Sequence, residues 1–208
     1  MIRFFAHLFS ALFHPFLMVT YGLLIALNFT SLKLLLLIQK VLFVGGTFLL
    51  SALLPALAIG VMIAKKKISG YEVDKREERF PPYMVAILAL LATLAFLTFI
   101  SAPYWILGLI GGMVGALCVA VAINKYWKIS VHGMGVGGIA GAIFAIIPLL
   151  NVNPLLLFLP ALAVGGLVCS SRLILNRHTL GQVGGGFLLG FFLSVLGIFA
   201  SYKLFYNL

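Results

Sequence analysis

Seven apolar segments occupy most of the chain, and they constrain its fold more than any other feature. Of the 208 residues, 63% are hydrophobic and only 9% are charged, with a mean hydropathy of +1.23. A soluble domain has about 45–50% apolar and about 25% charged residues, so that class is excluded. A membrane span needs about 20 apolar residues, which leaves room for six or seven spans and no separate soluble domain. The segments are 8–29, 41–64, 83–101, 104–123, 134–150, 154–171 and 183–202.

The spans are expected to be helices, because lipid offers no partners for backbone N–H and C=O groups. The alternating pattern of a membrane β-barrel is absent from the sequence. We therefore predict an all-α polytopic membrane bundle that forms one domain over residues 1–208. The first segment has an alternative, in which residues 1–14 lie along the membrane surface.

Charge is concentrated on one side of the predicted bundle. The polar loops 65–82, 124–132 and 172–182 each follow an even number of crossings, so they share one face. This face carries all four acids and all but three of the 14 Lys and Arg residues; the exceptions are Lys33, Lys40 and Lys203. The positive-inside rule predicts that it faces the cytoplasm, in a bacterial inner membrane.

The net charge of +10 also bears on partners. In a soluble protein such a charge would suggest nucleic acid. Here the cations lie between apolar segments, which favours the lipid bilayer and anionic phosphate groups as partners and argues against nucleic acid. The sequence does not indicate an oligomeric state.

The three polar loops combine cations with side chains that transfer protons. The planar fork of Arg matches phosphate oxygens, and His acts as a nucleophile or general acid near neutral pH. Helices that begin just after Ser130 and Gly181 would add backbone N–H donors for an anion. Together these groups predict a site for phosphoryl transfer.

Two of the loops carry motifs with informative spacing. The motifs are Ser130-x-His132-x-x-Gly135 and Ser171-Arg172-x5-His178-x3-Gln182-x3-Gly186. They resemble the second and third signature motifs of the type 2 phosphatidic acid phosphatase superfamily. The chain is thus similar to a divergent member of that superfamily over residues 75–186.

The resemblance implies a mechanism and a substrate class. His178 would attack phosphorus and form a phosphohistidine, and His132 would protonate the leaving lipid oxygen. Arg172 and Ser130 would bind the phosphate, and no metal or other cofactor would be required. The substrate would be a phosphorylated membrane lipid, either a phosphomonoester or a pyrophosphate. Phosphatidate, phosphatidylglycerophosphate and undecaprenyl pyrophosphate are the types implied.

The first motif of the superfamily, Lys-x6-Arg-Pro, has no match with that spacing. Its positional counterpart is Lys75-Arg76-x-x-Arg79-x-Pro81. We predict Arg79 and Arg76 from this run, and Lys128 from the second loop, as further phosphate ligands. The resembling bacterial enzymes often carry the site on the periplasmic side, which conflicts with the charge rule.

A second departure concerns the residue four positions after the nucleophilic His. The superfamily has Asp there, whereas this chain has Gln182, which can orient the ring but adds no charge. Asp74 and Glu78 are candidates to supply that charge. One alternative is therefore a protein that binds or transports lipid phosphates with weakened catalysis. Another is an unrelated small transporter, although its expected midplane charges are essentially absent from the spans.

Overall fold

The computed structural model describes residues 1–73 and 75–206, with side chains to residue 204. All regular secondary structure in this part of the chain is helical, which confirms the all-α prediction. The helices are α1 (Ile2–Leu12), α2 (Pro15–Phe29), α3 (Leu37–Phe48), α4 (Leu54–Ala64), α5 (Phe80–Phe99), α6 (Tyr104–Asn124), α7 (Val131–Ala145), α8 (Leu155–Ile174) and α9 (Leu180–Tyr206).

Five helical runs among the described residues are long and apolar enough to cross a membrane. A sixth is added if α1 and α2 count as one span, although they meet at an angle of 63°. The break falls at His14, because a residue before Pro disfavours helical backbone and Pro15 suits a helix start. Residues 2–12 thus form a helix distinct from α2. The remaining segment, α7, has 15 residues and spans only about 22 Å.

The run from α3 to α4 contains one wide helical turn, at Leu49–Leu53. Pro55 follows it and cannot donate to a carbonyl in the preceding turn. A π-type turn separates the proline ring from that carbonyl, so the helix continues with little interruption. Ser51 and Ala52 of this turn are buried against the bundle.

α7 lies at the centre of the bundle, and glycines bring its backbone close to α9. A Cβ atom at Gly137 would collide with the Phe187 carbonyl, and one at Gly141 with the Phe191 carbonyl. In the other direction, a Cβ atom at Gly190 would collide with the backbone of Met134. These small residues therefore allow close helix packing, as in many membrane bundles.

The three polar loops meet at one end of the bundle, as the parity of crossings predicts. Arg79 donates to the carbonyl of Ile129 at 3.0 Å, which joins the first loop to the second. The Ser130 N–H donates to the Gln182 carbonyl at 3.1 Å, which joins the second to the third. At the opposite end of α2, the Phe29 carbonyl accepts from the Asn151 N–H at 2.8 Å.

Candidate functional site

A cavity of about 100 Å³ lies among the three polar loops. Its wall includes four of the residues predicted from sequence, and two that were not predicted. The predicted four are His132, His178, Arg79 and Arg172, and the other two are His14 and Glu72. The structure therefore brings residues from positions 14 to 178 to one small polar volume.

His178 is held by the start of α9. The Gln182 side-chain oxygen accepts from the Thr179 N–H at 3.1 Å, and the Thr179 hydroxyl accepts from the Gln182 N–H at 3.4 Å. This reciprocal pair is a capping box, and it fixes which amide atom is oxygen. The same oxygen lies 3.1 Å from Nδ1 of His178. Since a carbonyl oxygen only accepts, the proton of the neutral ring is on Nδ1 and the lone pair is on Nε2.

The surroundings of His178 keep its ring neutral. The side chain is 9% exposed, and its pKa is lowered from 6.5 to about 4. Burial is the main cause, since it disfavours the charged ring, and the nearby charges of Arg79, Arg172 and Lys128 add to it. The hydrogen bond to Gln182 acts in the opposite direction and raises the pKa. At neutral pH the Nε2 lone pair is therefore available for attack on an electrophile.

Arg172 occupies the last turn of α8 and is only 2% exposed. Beyond the helix end, Asn176 adopts left-handed backbone (φ 53°), which turns the chain back toward the cavity. This reversal accounts for the Arg-x5-His spacing, because it returns His178 to the wall that Arg172 lines.

Glu72 is the main counter-charge of the site. Its two carboxylate oxygens lie 3.4 Å from Nη1 and Nη2 of Arg172, and one lies 2.9 Å from Nε of Arg177. Nε of Arg172 is buried with no hydrogen-bond partner among the described residues. A buried donor without a partner calls for an explanation, and an anion in the cavity would supply one.

Glu72 was not among the site residues predicted from the sequence. Glu77, another acid of the same loop, pairs locally and lies 3.8 Å from Arg76. Glu72 instead contacts residues about 100 positions away, and no local pattern signals such a pair.

His132 and His14 form a second pair of rings in the cavity wall. Nε2 of His132 lies 3.2 Å from the Ser10 carbonyl, so the neutral ring carries its proton there and leaves Nδ1 to exchange one. The two ring centroids are 5.4 Å apart in an edge-to-face arrangement. His14 was not among the site residues predicted from the sequence. Its position before Pro15, where the first helix breaks, is the signal that could have pointed to it.

Arg79 is buried and ties two loops together while it lines the cavity. Its Nε donates to the Val73 carbonyl at 3.0 Å, and its Nη1 donates to the Ile129 carbonyl at 3.0 Å. Its positive charge is therefore held in a fixed place beside His178, whose pKa it lowers.

Three predicted phosphate ligands do not line this cavity. Arg76 pairs with the neighbouring Glu77, and its carbonyl accepts from the Asn124 side chain at 3.1 Å. Ser130 caps α7 through its hydroxyl, which accepts from the Gly133 N–H at 3.2 Å. Lys128 acts on His178 through its charge.

Of the two acids proposed to replace the missing carboxylate, Glu78 has its contacts elsewhere. Glu78 accepts from the Ser69 N–H at 2.7 Å and pairs with Lys75 at 3.5 Å. Asp74 lies outside the described residues.

No known protein-family model matches the chain, and no curated protein or solved structure matches it either. Within the described residues, no group of three or more His, Cys, Asp or Glu side chains has the arrangement of a metal site.

Proposed function

We propose that the chain is an integral membrane hydrolase that removes phosphate from a lipid phosphomonoester or pyrophosphate through a phosphohistidine at His178. One observation carries the proposal most. A neutral histidine with a free Nε2, a second histidine and two buried arginines line a single cavity at the polar end of an apolar bundle. The motif spacing that resembles type 2 phosphatidic acid phosphatases supports the same reading.

The proposed reaction has two steps. In the first, Nδ1 of His132 takes up the proton carried by a phosphate monoanion, Nε2 of His178 bonds to phosphorus, the bond from phosphorus to the lipid oxygen breaks, and Nδ1 of His132 delivers that proton to the lipid oxygen. In the second, Nδ1 of His132 takes a proton from water, the water oxygen bonds to phosphorus, the bond from phosphorus to nitrogen breaks, and His132 passes the proton to the departing phosphate. The products are a lipid alcohol, or lipid monophosphate from a pyrophosphate, and inorganic phosphate. His178 is regenerated.

The cations have distinct roles in this proposal. Arg172 offers its unpartnered Nε to a phosphate oxygen. Arg79 supplies a fixed positive charge, which stabilises the charge that develops on the equatorial oxygens. Glu72 holds Arg172 in place and competes with phosphate for it. Gln182 orients the nucleophile without adding negative charge near the incoming phosphate.

Phosphate release from purified variants tests the proposal. His178→Ala should reduce the rate of release from hexadecyl phosphate by at least 1,000-fold, the order of loss when a catalytic nucleophile is removed. His7→Ala is the matched control, because His7 is exposed and does not line the cavity. Equal rates for His178→Ala and the parent protein would overturn the nucleophile assignment.

A second candidate function, lipid-phosphate binding without turnover, draws on two observations. Gln182 lacks the charge that would stabilise an imidazolium, and the Glu72 carboxylate already pairs with the guanidinium of Arg172. The two candidates differ in one result. A binding protein would hold a lipid phosphate with a measurable dissociation constant and release no phosphate from it.

We also propose that the polar end of the bundle faces the cytoplasm of a bacterial inner membrane. The basis is the uneven distribution of Lys and Arg, most of which lie on that end. The lipid headgroup would then be hydrolysed in the inner leaflet.

A further inference from the structure

A second cavity, of about 60 Å³, adjoins the polar cavity on the side toward the middle of the bundle. The two cavities share five wall residues: Pro15, Phe16, Ala86, Leu117 and Val131. Beyond these shared residues the wall is almost entirely apolar. A group held by the cations would therefore have an apolar space directly beneath it.

A third cavity, of about 20 Å³, continues in the same direction and shares Val19 with the second. Helix α2 contributes to all three walls, with residues 14–16 at the polar cavity, 15–19 at the second and 19–26 at the third. At 1.5 Å per residue, this path along α2 extends about 16 Å from Pro15 to Ala26. We call the second and third cavities the apolar track.

Small side chains from several helices create the space in the second cavity. Ala86 of α5, Ala116 of α6, Gly138 of α7 and Ser194 of α9 all line it, as does Ser51 of the wide turn after α3.

Two of these groups carry an energetic cost. The hydroxyls of Ser51 and Ser194 are buried with no hydrogen-bond partner among the described residues. An unpaired buried hydroxyl is unfavourable, so apolar residues there would give a more stable bundle. The small side chains at these positions leave the second cavity open.

We propose that the apolar track binds one hydrocarbon chain of a lipid whose phosphate lies in the polar cavity. The inference rests on the proposed function, since it names the substrate class of that site. The position of an apolar cavity next to a cationic one fits an amphiphile with an anionic head and an apolar tail. The small volumes of the track admit the part of one chain nearest the head and leave no room for two chains side by side, so the ligand is a single-chain lipid phosphate, either acyl or alkyl, or isoprenoid.

Binding measurements with purified protein test this without relying on turnover. The probes are butyl phosphate, hexadecyl phosphate, geranylgeranyl phosphate and the two-chain phosphomonoester dipalmitoyl phosphatidate. The parent protein should bind the two long single-chain probes at least tenfold more tightly than butyl phosphate, because each buried CH₂ group adds to affinity. The comparison between hexadecyl and geranylgeranyl phosphate distinguishes a saturated from an isoprenoid chain.

Ala116→Leu is designed to narrow the track, and Ala122→Leu on the exposed side of the same helix is its control. Ala116→Leu should weaken binding of the long single-chain probes about tenfold and leave butyl phosphate unchanged. Ala122→Leu should change neither. If Ala116→Leu does not fold, the smaller change Ala116→Val replaces it, with a smaller loss for the long probes and butyl phosphate again unchanged.

Three results would overturn the inference: equal affinity for butyl and hexadecyl phosphate, an unchanged affinity for hexadecyl phosphate in the narrowed variant, or dipalmitoyl phosphatidate bound as tightly as hexadecyl phosphate. The proposed function fails in a different way. Chain-dependent binding with no phosphate release would reject the hydrolase and leave the apolar track in place. Phosphate release at a rate that does not depend on the hydrocarbon chain of the substrate would support the hydrolase and reject the apolar track as its binding site.

Discussion

Among the single residues of the site, Gln182 makes two structural contributions. It closes the capping box at the start of α9, and it holds Nδ1 of His178. An amide does both without charge, whereas a carboxylate would also stabilise the imidazolium that the proposed attack on phosphorus forms. In the proposed mechanism, Gln182 therefore orients His178 and gives it no electrostatic assistance.

The pH dependence of phosphate release follows from the neutral state of His178. Its pKa of about 4 means that the ring loses its lone pair only as the pH falls through that value. We expect kcat/KM to fall on the acid side with a midpoint near pH 4. Gln182→Glu should move this midpoint to higher pH, because the added carboxylate favours the protonated ring. It should also raise kcat at neutral pH by about tenfold.

A profile of kcat/KM against pH for both proteins measures this effect. Gln182→Leu is the companion variant, since it removes the hydrogen bond and adds no charge; its midpoint should not rise. A parent midpoint near 6.5, or an unchanged midpoint in Gln182→Glu, would contradict the assigned environment of His178.

Much of the site could be predicted from the sequence at this scale. The spacing of His132, Arg172 and His178 predicts residues that do share one cavity wall. Glu72 and His14 could not be predicted, because their partners lie in distant parts of the chain and a single sequence carries no record of such contacts. Arg76 and Arg79 lie three residues apart with the same charge. Only the turn at Arg76–Arg79 decides that Arg79 points into the bundle.

At the scale of helices, the packing of α7 against α9 positions the site. Both helices begin at the polar end, and the Ser130 N–H joins their first turns through the Gln182 carbonyl. A change in the separation of these helices would therefore move His132 relative to His178. The glycines between them set that separation.

A matched pair of glycine substitutions on α9 tests this packing. Gly190→Ala places a methyl group against the Met134 carbonyl, whereas Gly184→Ala has open space. We expect Gly190→Ala to lower the free energy of unfolding by about 1–3 kcal/mol. Gly184→Ala should leave it unchanged or raise it by up to about 1 kcal/mol, because Ala favours the helix. Thermal midpoints in detergent measure both. Equal midpoints for the two variants would contradict the close packing.

Helix positions were largely predictable, while helix ends were not. Each of the seven apolar segments corresponds to a helix or a pair of helices. The first segment divides at His14, and α7 ends at Ala145, five residues before the predicted boundary. Hydrophobicity continues through both places. The ends are set by Pro15 in the first case and by the short helical turn Ile147–Leu149 in the second.

At the scale of the whole molecule, the order of the helices places most of the charged residues at one end of the bundle. The three polar loops lie at one end, and the apolar track runs from that end into the bundle. The proposed ligand, with its phosphate in the polar cavity and its chain in the apolar track, requires this arrangement.

The orientation of the bundle can be measured with single cysteines. In a Cys118→Ala, Cys169→Ala background, Glu77→Cys reports on the polar end and Asn151→Cys on the opposite end. If the polar end faces the cytoplasm, a membrane-impermeant maleimide should label intact cells at position 151 and not at position 77. Labelling should appear at position 77 after the cells are opened. Labelling of position 77 in intact cells would place the site outside the cytoplasm.

The most direct test of the account is whether phosphate becomes attached to His178. Purified protein is mixed with hexadecyl phosphate carrying labelled phosphorus, and the reaction is stopped in alkali, which preserves phosphohistidine. Peptide mapping should place the label on His178, and His178→Ala should carry none. Phosphate release by the parent protein with no label on the chain, or equal labelling of His178→Ala, would contradict the account.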